Sequence, residues 1–341
     1  MRIASWNIRG GNDPLKQQDA LTFLRSHRID VFGLLETRVK EKNALKIVRH
    51  VFKEYKVVHN YKEHYNGRIW LIWKPSSVTV TPLLFNSQFI HCEVLHHATD
   101  HRFHVTMIYA SNNARERDML WSHLINIKNT VKEWLLLGDF NVVRTVDEHV
   151  SKTPAHLADI LDFNACLLQC EVDDVYGTGS VLTWNNKQED EGQVWSKLDR
   201  ALANSSWLTT FPATSANFLT PGISDHSPTL VTVFEDQKVP ARFSFLNCWI
   251  EHPDYHTTVQ NAWMEPVTGS LQFKLFAKLK NVKTKLTSMH KNNFTDISSQ
   301  ISSCKDQLQQ CQQQLQTDLH SMALLDQERA LLAQYVQLKK D

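Results

Sequence analysis

Between residues 56 and 109 the chain carries five strand-like segments in succession, at 56–60, 68–73, 78–83, 89–95 and 102–109. No helical pattern separates them. Successive strands with short connections pair antiparallel, whereas parallel neighbours need a crossover long enough to span the sheet. This block therefore disfavours a simple parallel, doubly wound sheet. In its last segment Phe103, Val105, Met107 and Tyr109 alternate with His104, Thr106 and Ile108. That alternation suits a strand packed on both faces of its sheet.

On either side of the block, helices and strands are interspersed. Residues 2–8 read as a strand. Asp13-Pro14 reads as an N-cap with proline at the first helical position, opening a helix through Leu21 and Leu24 to about residue 28. Residues 31–35 form a short, nearly all-apolar run, hence a buried strand. Leu45, Val48 and Phe52 mark a second helix, and 114–128 a third. A strand follows at 134–137, then a helix from Pro154 through Leu168. Residues 181–184 and 194–202 read as a hairpin across a polar loop, and 228–233 as a closing strand. The whole fits an α/β (α+β) fold, a four-layer sandwich of two mixed β-sheets flanked by helices, plus a C-terminal helical extension.

From about residue 240 the chain becomes helical and polar, with its last proline at Pro266 and its last glycine at Gly269. The expected division is a first domain over 1–236 and a helical connector over 237–341. Ile297, Ile301, Cys304, Leu308, Cys311 and Leu315 form a heptad stripe, with Ser and Gln between them and few charges at the flanking positions. This favours a helical hairpin docked on the first domain, or on a neighbour, over a self-associating coiled coil. Lys274, Lys278, Lys280, Lys283, Lys285 and Lys291 form a basic stretch free of acids, either a solvated face or a contact for a nucleic-acid backbone. The net charge of +1 means that any such contact must come from local patches. The cysteines, Cys92, Cys166, Cys170, Cys248, Cys304 and Cys311, contain no Cys-x-x-Cys pair. Cys166 and Cys170, one helical turn apart, read as small buried side chains rather than metal ligands. The opening residues lack the apolar core of a signal peptide, and no run reaches eighteen apolar residues. No membrane span and an intracellular setting are expected.

Polar residues recur where strands end. Asn7 closes the first strand and Glu36 the second. Tyr109 closes the last strand of the antiparallel block, and Asp139 and Asn141 follow the next. Asp199 lies in Ser196-Lys197-Leu198-Asp199-Arg200, and Asp225 and His226 precede the closing strand. A carboxylate at a buried strand end is costly unless it is paired, hydrogen-bonded or on a metal. Phosphodiester hydrolysis needs such groups: hard oxygen ligands for a divalent cation, a group that positions water, and a histidine steadied by a carboxylate.

The ordered series Trp6-Asn7, Leu35-Glu36-Thr37, Gly138-Asp139-Phe140-Asn141, Leu198-Asp199-Arg200 and Ser224-Asp225-His226 resembles the endonuclease/exonuclease/phosphatase (DNase I-like) superfamily. Within it, Asn7-Ile8-Arg9-Gly10, Leu35-Glu36-Thr37-Arg38-Val39-Lys40, Trp195-Ser196-Lys197-Leu198-Asp199-Arg200 and Phe245-Leu246-Asn247-Cys248-Trp249 are similar to the endonuclease domain of plant LINE-type (non-LTR) retroelements. The resemblance implies a Mg²⁺-dependent hydrolase, with Mn²⁺ as the alternative ion, that nicks DNA to prime reverse transcription. It implies Glu36, Asn7 and Asp225 as metal ligands, and Asp139 as the group that orients or deprotonates water. Asn141 and Tyr109 would contact the phosphate, and His226, steadied by Asp199, would stabilise its developing charge. DNA, a reverse transcriptase or element RNA, and the nucleus follow as expected partners and location. A polymerase would begin about where this chain ends. Arg9 stands where the family's abasic-site branch has an acid, which argues against abasic-site specificity. Two alternatives stay open: a phosphatase or phosphodiesterase on a small phosphorylated substrate, and an inactive domesticated module that only binds. The acidic loop at 187–193, between Trp184 and Trp195, is a candidate for probing a groove or for repelling one.

Overall fold

The computed structural model describes residues 1–188, 192–234, 249–250, 252–293 and 295–339; the side chains of 290–299 are not part of that description. Glu189, Asp190 and Glu191 of the acidic loop, Phe245 through Cys248, and Asp236 at the expected boundary thus lie outside the described residues, as do the side chains of Lys291 in the basic stretch and Ile297 in the heptad stripe.

The N-terminal half runs β1 (Arg2–Asn7), α1 (Pro14–Ser26), β2 (Val31–Leu35), α2 (Glu41–His50), β3 (Lys56–His59), β4 (Ile69–Trp73), β5 (Val78–Phe85), β6 (Phe89–His96), β7 (His101–Tyr109) and α3 (Ala114–Lys128). It continues through β8 (Trp134–Asp139), β9 (His149–Val150), α4 (Leu157–Cys170), β10 (Val172–Asp174), β11 (Gly177–Gly179), β12 (Trp184–Asn185), β13 (Trp195–Ser196) and β14 (Asp199–Asn204). Then come α5 (Ser205–Thr210), β15 (Ser215–Phe218) and β16 (Thr229–Thr232). Asp13 caps α1 by accepting from the Leu15 backbone N–H, with Pro14 in the first turn.

Two mixed sheets result, as expected. One has the order β11-β15-β16-β1-β2-β4-β3, the other β10-β14-β8-β7-β6-β5. Their inner faces share a core that includes Ile3, Leu71, Val105, Met107, Leu135 and Leu137. The outer face of the first sheet packs α1 and α2 through Trp6, Phe23, Phe32 and Ala44. The outer face of the second packs α3 and α4 through Ile108, Leu120, Trp134, Phe163 and Cys166. The alternation in β7 is thus used on both faces, with Met107 inward and Ile108 under the helices. Cys166 and Cys170 are buried members of the helix-side core.

The expected hairpin is shorter than the sequence suggests. Only Trp184–Asn185 pairs with Trp195–Ser196, in a small third sheet completed by β9. The Thr183 hydroxyl accepts from the backbone N–H groups of Leu198 and Asp199, and β14 then leaves to pair with β8. The helix expected from Pro154 starts at Leu157. Upstream, the Thr153 carbonyl is bonded to the His149 ring (3.0 Å) instead of serving a helix.

The chain divides into two compact units, Met1–Asp236 with Leu308–Leu332, and Gln237–Gln307 with Ala333–Asp341. The packing therefore differs from the boundary read at 236, because residues 308–332 group with the sandwich. The remaining helices are α6 (Tyr255–Met264), α7 (Leu271–Asn293), α8 (Thr295–Leu315) and α9 (Met322–Leu338). In the second unit Trp249, Leu286 and Met289 form a small core against Tyr255 and Val259. In the first unit, Leu308, Cys311 and Leu315 of the heptad stripe are buried. The buried amide of Gln312 bonds both backbone groups of Gly222, each at 3.1 Å, and that of Gln316 bonds both backbone groups of Leu182, each at 3.2 Å. No helix among the described residues is long and apolar enough to cross a membrane.

Candidate active site

Pairing register sets the site. In the second sheet Tyr109 lies opposite Asp139 across the parallel β7–β8 pair, and Asp139 opposite Asp199 across the antiparallel β8–β14 pair. In the first sheet Asn7 lies opposite Leu35, so Glu36 follows beside it, and β16 returns antiparallel to β1 just after His226. The polar strand ends of both sheets thereby meet at one cleft of about 560 Å³, lined by Glu36, Tyr109, Asp139, Asn141, Asp225 and His226, with Arg9 and Arg38 on its wall. Asn7 and Asp199 sit behind this surface, fully buried. Every residue singled out at a strand end is brought to this place.

The chain bends sharply to turn these side chains inward. Arg9, Glu36, Arg38 and Asn141 all have φ between 46° and 51°. Such left-handed conformations are uncommon for residues other than glycine and collect at functional sites, where surrounding structure enforces them. Gly138, with φ of +144°, has a different reason: a Cβ there would lie 2.0 Å from the Ile108 carbonyl oxygen. Only glycine lets β8 approach β7 closely enough to deliver Asp139.

At the floor, His226 lies between two carboxylates. Its Nδ1 is 3.0 Å from Asp199 Oδ2, and its Nε2 is 3.7 Å from Asp139 Oδ2. The Asn7 amide donates to Asp139 Oδ2 at 2.9 Å and stands 3.3 Å from His226 Nε2. The histidine backbone is fixed as well, since its carbonyl accepts from the Trp6 indole and its N–H donates to the Ser224 hydroxyl. Asn141 donates its backbone N–H to Asp139 Oδ1 and its side-chain amide to the Ala110 carbonyl. At the rim, Glu36 pairs with Arg38, and Asp225 with Arg9 and the Trp184 indole.

Electrostatics follow from this packing. Burial works against a charged His226 ring, but Asp199 and Asp139 outweigh it and raise its pKa to about 9. Burial pushes the Asp139 carboxyl up from its usual range, against the pull of His226. Burial also opposes ionisation of Asp225, yet the charges on His226 and Arg9 hold it below the usual carboxylate range. Tyr109 is raised well above its ordinary value by burial and by Glu36 and Asp139, so its phenol keeps its proton.

The family model for endonuclease/exonuclease/phosphatase proteins matches residues 4–226. This chain belongs to the endonuclease/exonuclease/phosphatase family. A search of curated proteins finds no match. Among solved structures, this family member is similar to the endonuclease domain of TRAS1, a telomere-specific non-LTR retrotransposon (12% identity, TM-score 0.54, covering 69% of this chain and 99% of that one). It is also similar to an AP endonuclease from Archaeoglobus fulgidus (14% identity, TM-score 0.51, 68% and 98% covered). A third neighbour is the 3′ phosphatase NExo from Neisseria bound to a product DNA hairpin (15% identity, TM-score 0.50, 68% and 98% covered). At these identities the likeness is one of fold. Membership in a family of nucleases and phosphatases supports the expected hydrolase.

Two groups of residues in this family member suit a cation to different degrees. Asp139, Asp199 and His226 bring ligand-type atoms within 4.8 Å of one another. However, a ring protonated to about pH 9 and bonded through Nδ1 to Asp199 has no lone pair to offer a metal. Glu36 and Asp225 fit better, while Asn7 lies behind them with its Oδ1 accepting from the Arg9 backbone N–H. They are hard oxygen donors on the cleft, and their guanidinium partners have side chains 57% and 50% exposed, so either can give way to an ion.

The roles of several contributors were not legible in the sequence. Trp184 donates to Asp225, Ser224 ties Asn7 to His226, and Thr183 sets the start of β14. Each is a common residue type whose value comes from a distant partner. Arg200, quoted with Asp199 as one motif, is fully buried and pairs with Glu148 and Asp174, away from the cleft.

Proposed function

We propose that this chain is a Mg²⁺-dependent endonuclease that nicks DNA. The observation that carries the reading is His226, clamped between Asp199 and Asp139 at the floor of an open cleft whose rim presents Glu36 and Asp225. Glu36, Asp225 and Asn7 would hold Mg²⁺ or Mn²⁺. Such an ion, when bound, neutralises phosphate charge and favours attack by water. Asp139, its pKa raised by burial and its position fixed by Asn7, orients or deprotonates the water. Asn141, on its left-handed turn, holds the scissile phosphate. Tyr109, kept protonated, donates to the phosphate or to the leaving oxygen. His226 presents a cation to the pentacoordinate phosphorus, and Asp199 fixes its ring.

The retroelement role rests on the motif likeness and on the fold shared with the TRAS1 endonuclease. In that role the nick exposes a 3′-hydroxyl for a reverse transcriptase acting with element RNA, in the nucleus. DNA as substrate draws support from the DNA-bound neighbour, since both proteins share the fold. A supercoiled plasmid tests the proposal. Open-circular product should appear with Mg²⁺ and not with EDTA. Turnover of a small phosphomonoester with no plasmid nicking would replace the endonuclease with a phosphatase, and DNA binding without any turnover would leave only a binding module.

A further inference from the structure

Asp225 stands in the connection between β15 and β16, so no strand of its own holds it in the cleft. Its carboxylate is aimed from elsewhere: Arg9 pairs with it, and the Trp184 indole donates to it at 3.2 Å. The loops that carry Trp184 and Asp225 are laced to each other. Asn185 donates its backbone N–H to the Asp225 carbonyl at 3.1 Å, and Ser227 donates its own to the Thr183 carbonyl at 2.7 Å. The direction of the Asp225 carboxylate therefore depends on how these two loops are held relative to one another.

Both loops are gripped from one place outside the sheets. Gln312, in the last turn of α8, occupies both backbone groups of Gly222, and Gln316, directly after α8, occupies both of Leu182. Gly222 precedes Asp225 by three residues, and Leu182 precedes Trp184 by two. Two bonds to one residue fix its orientation as well as its place. Four residues, about one helical turn, separate the glutamines, which puts both side chains on one side of the helix end. Gln312 cannot swing away: it is buried, and its amide nitrogen also donates at 2.9 Å to the buried Glu328, which pairs with Lys187 at 2.7 Å. Between Leu182 and Trp184, the Thr183 hydroxyl accepts from the Leu198 and Asp199 N–H groups, so the same grip reaches the start of β14. Neither glutamine lines the cleft.

We propose that Gln312 and Gln316 are positioning residues for the metal side of the catalytic cleft. Gln312 acts through Gly222 and Gln316 through Leu182, and together they fix the spacing across which Trp184 aims Asp225. The inference rests on the reading of Asp225 as a metal ligand. A carboxylate held in one direction before the ion arrives loses less freedom on binding it, so a loosened loop shows first as weaker metal binding. The helical segment after the sandwich is then part of what makes the site, although it contributes no group to it.

The test measures Mn²⁺ binding to the full chain, without DNA, from the electron paramagnetic resonance signal of the free ion, with thermal melts to show that each variant folds. Gln312→Met and Gln316→Met keep much of the side-chain volume and remove the amides. Each should weaken Mn²⁺ binding roughly 3- to 10-fold, at or below the low end of what outer partners of a metal ligand contribute. His320→Ala removes another contact of the same segment, to the Gln193 side chain at 3.1 Å, and should leave Mn²⁺ affinity unchanged. Wild-type affinity in the folded glutamine variants would overturn the positioning role and leave the metal reading of Asp225 intact. An equal loss in His320→Ala would overturn it too, because general loosening of the segment would then be the cause. A wild type that takes up no Mn²⁺ would sink the metal reading and this inference with it. Gln316 is only half-buried, so Gln316→Met decides the matter if Gln312→Met does not fold.

Discussion

The two sheets contribute to the cleft in opposite ways. The first supplies Glu36 and Asp225, each neutralised by an arginine whose side chain is at least half exposed. The second supplies Asp139 and Asp199, both at most 1% exposed, with Asn7 and His226 as their partners. Pairs in contact with water are weak and readily exchanged, whereas buried pairs persist because an unpaired charge there is costly. One half of the site is therefore built to trade partners and the other to hold them. A cation can replace a guanidinium on the first side, while the proton positions on the second are set before substrate arrives. His226 joins the halves: its backbone belongs to the end of the first sheet and its ring to the carboxylates of the second.

Substitutions on the two sides should fail differently. Asp199→Asn keeps the size and removes the charge behind His226. Nicking turnover should fall by roughly 10²-fold or more, as for loss of a preorganised electrostatic group, with little change in DNA affinity and no rescue by added Mg²⁺. Its pH profile carries a second signature. In the wild type the cationic ring should be lost as pH rises through about 9, giving an alkaline limb there. Because the folded pKa is raised, the stability gained from this ion pair is full below the ordinary histidine value of about 6.5 and disappears through about 9. Without Asp199 the limb should move to lower pH, and an unmoved limb would show that the two groups are not coupled.

Glu36→Gln, on the exchangeable side, should be partly recoverable. Its loss should be large at low Mg²⁺ and shrink to about tenfold at saturating Mg²⁺, because a ligand rather than an orienting group was weakened. Equal metal rescue of Glu36→Gln and Asp199→Asn would erase the distinction between the two sheets. Arg38→Ala should have the smallest effect and the opposite sign. Freed from its guanidinium, Glu36 should take the cation more readily, lowering the Mg²⁺ needed for half-maximal nicking by no more than about fivefold, the range of an exposed ion pair. A rise in that requirement would mean that Arg38 helps to hold the phosphate instead.

Legibility in the sequence followed the same divide between local and distant causes. The run 31–35 and the helix 114–128 have the ends read from their residues, because apolar periodicity and flanking polar residues act locally. The strand-end polar groups were legible too, since an acid closing a buried run has few structural explanations. Strands β10, β11 and β15 were not. Val172-Asp173-Asp174, Gly177-Thr178-Gly179 and Ser215-Ala216-Asn217-Phe218 carry little strand signal and are extended because neighbours pair with them. The tail was half legible. Its heptad stripe pointed to a docked hairpin, but Gln312 and Gln316 look like solvent-facing residues until their partners, 90 and 134 positions away, are known.

Within the sandwich, the earliest strand in the sequence, β1, is completed by the latest, β16. Asn7 and His226 lie 219 positions apart. At a synthesis rate of about 5–20 residues per second, Asn7 emerges roughly 10–45 s before the histidine beside it. Until the interval ends, the carboxylates of Asp139 and Asp199 lack the ring that joins them. A cell translating this protein is therefore exposed to the assembled constellation only after nearly the entire sandwich has left the ribosome.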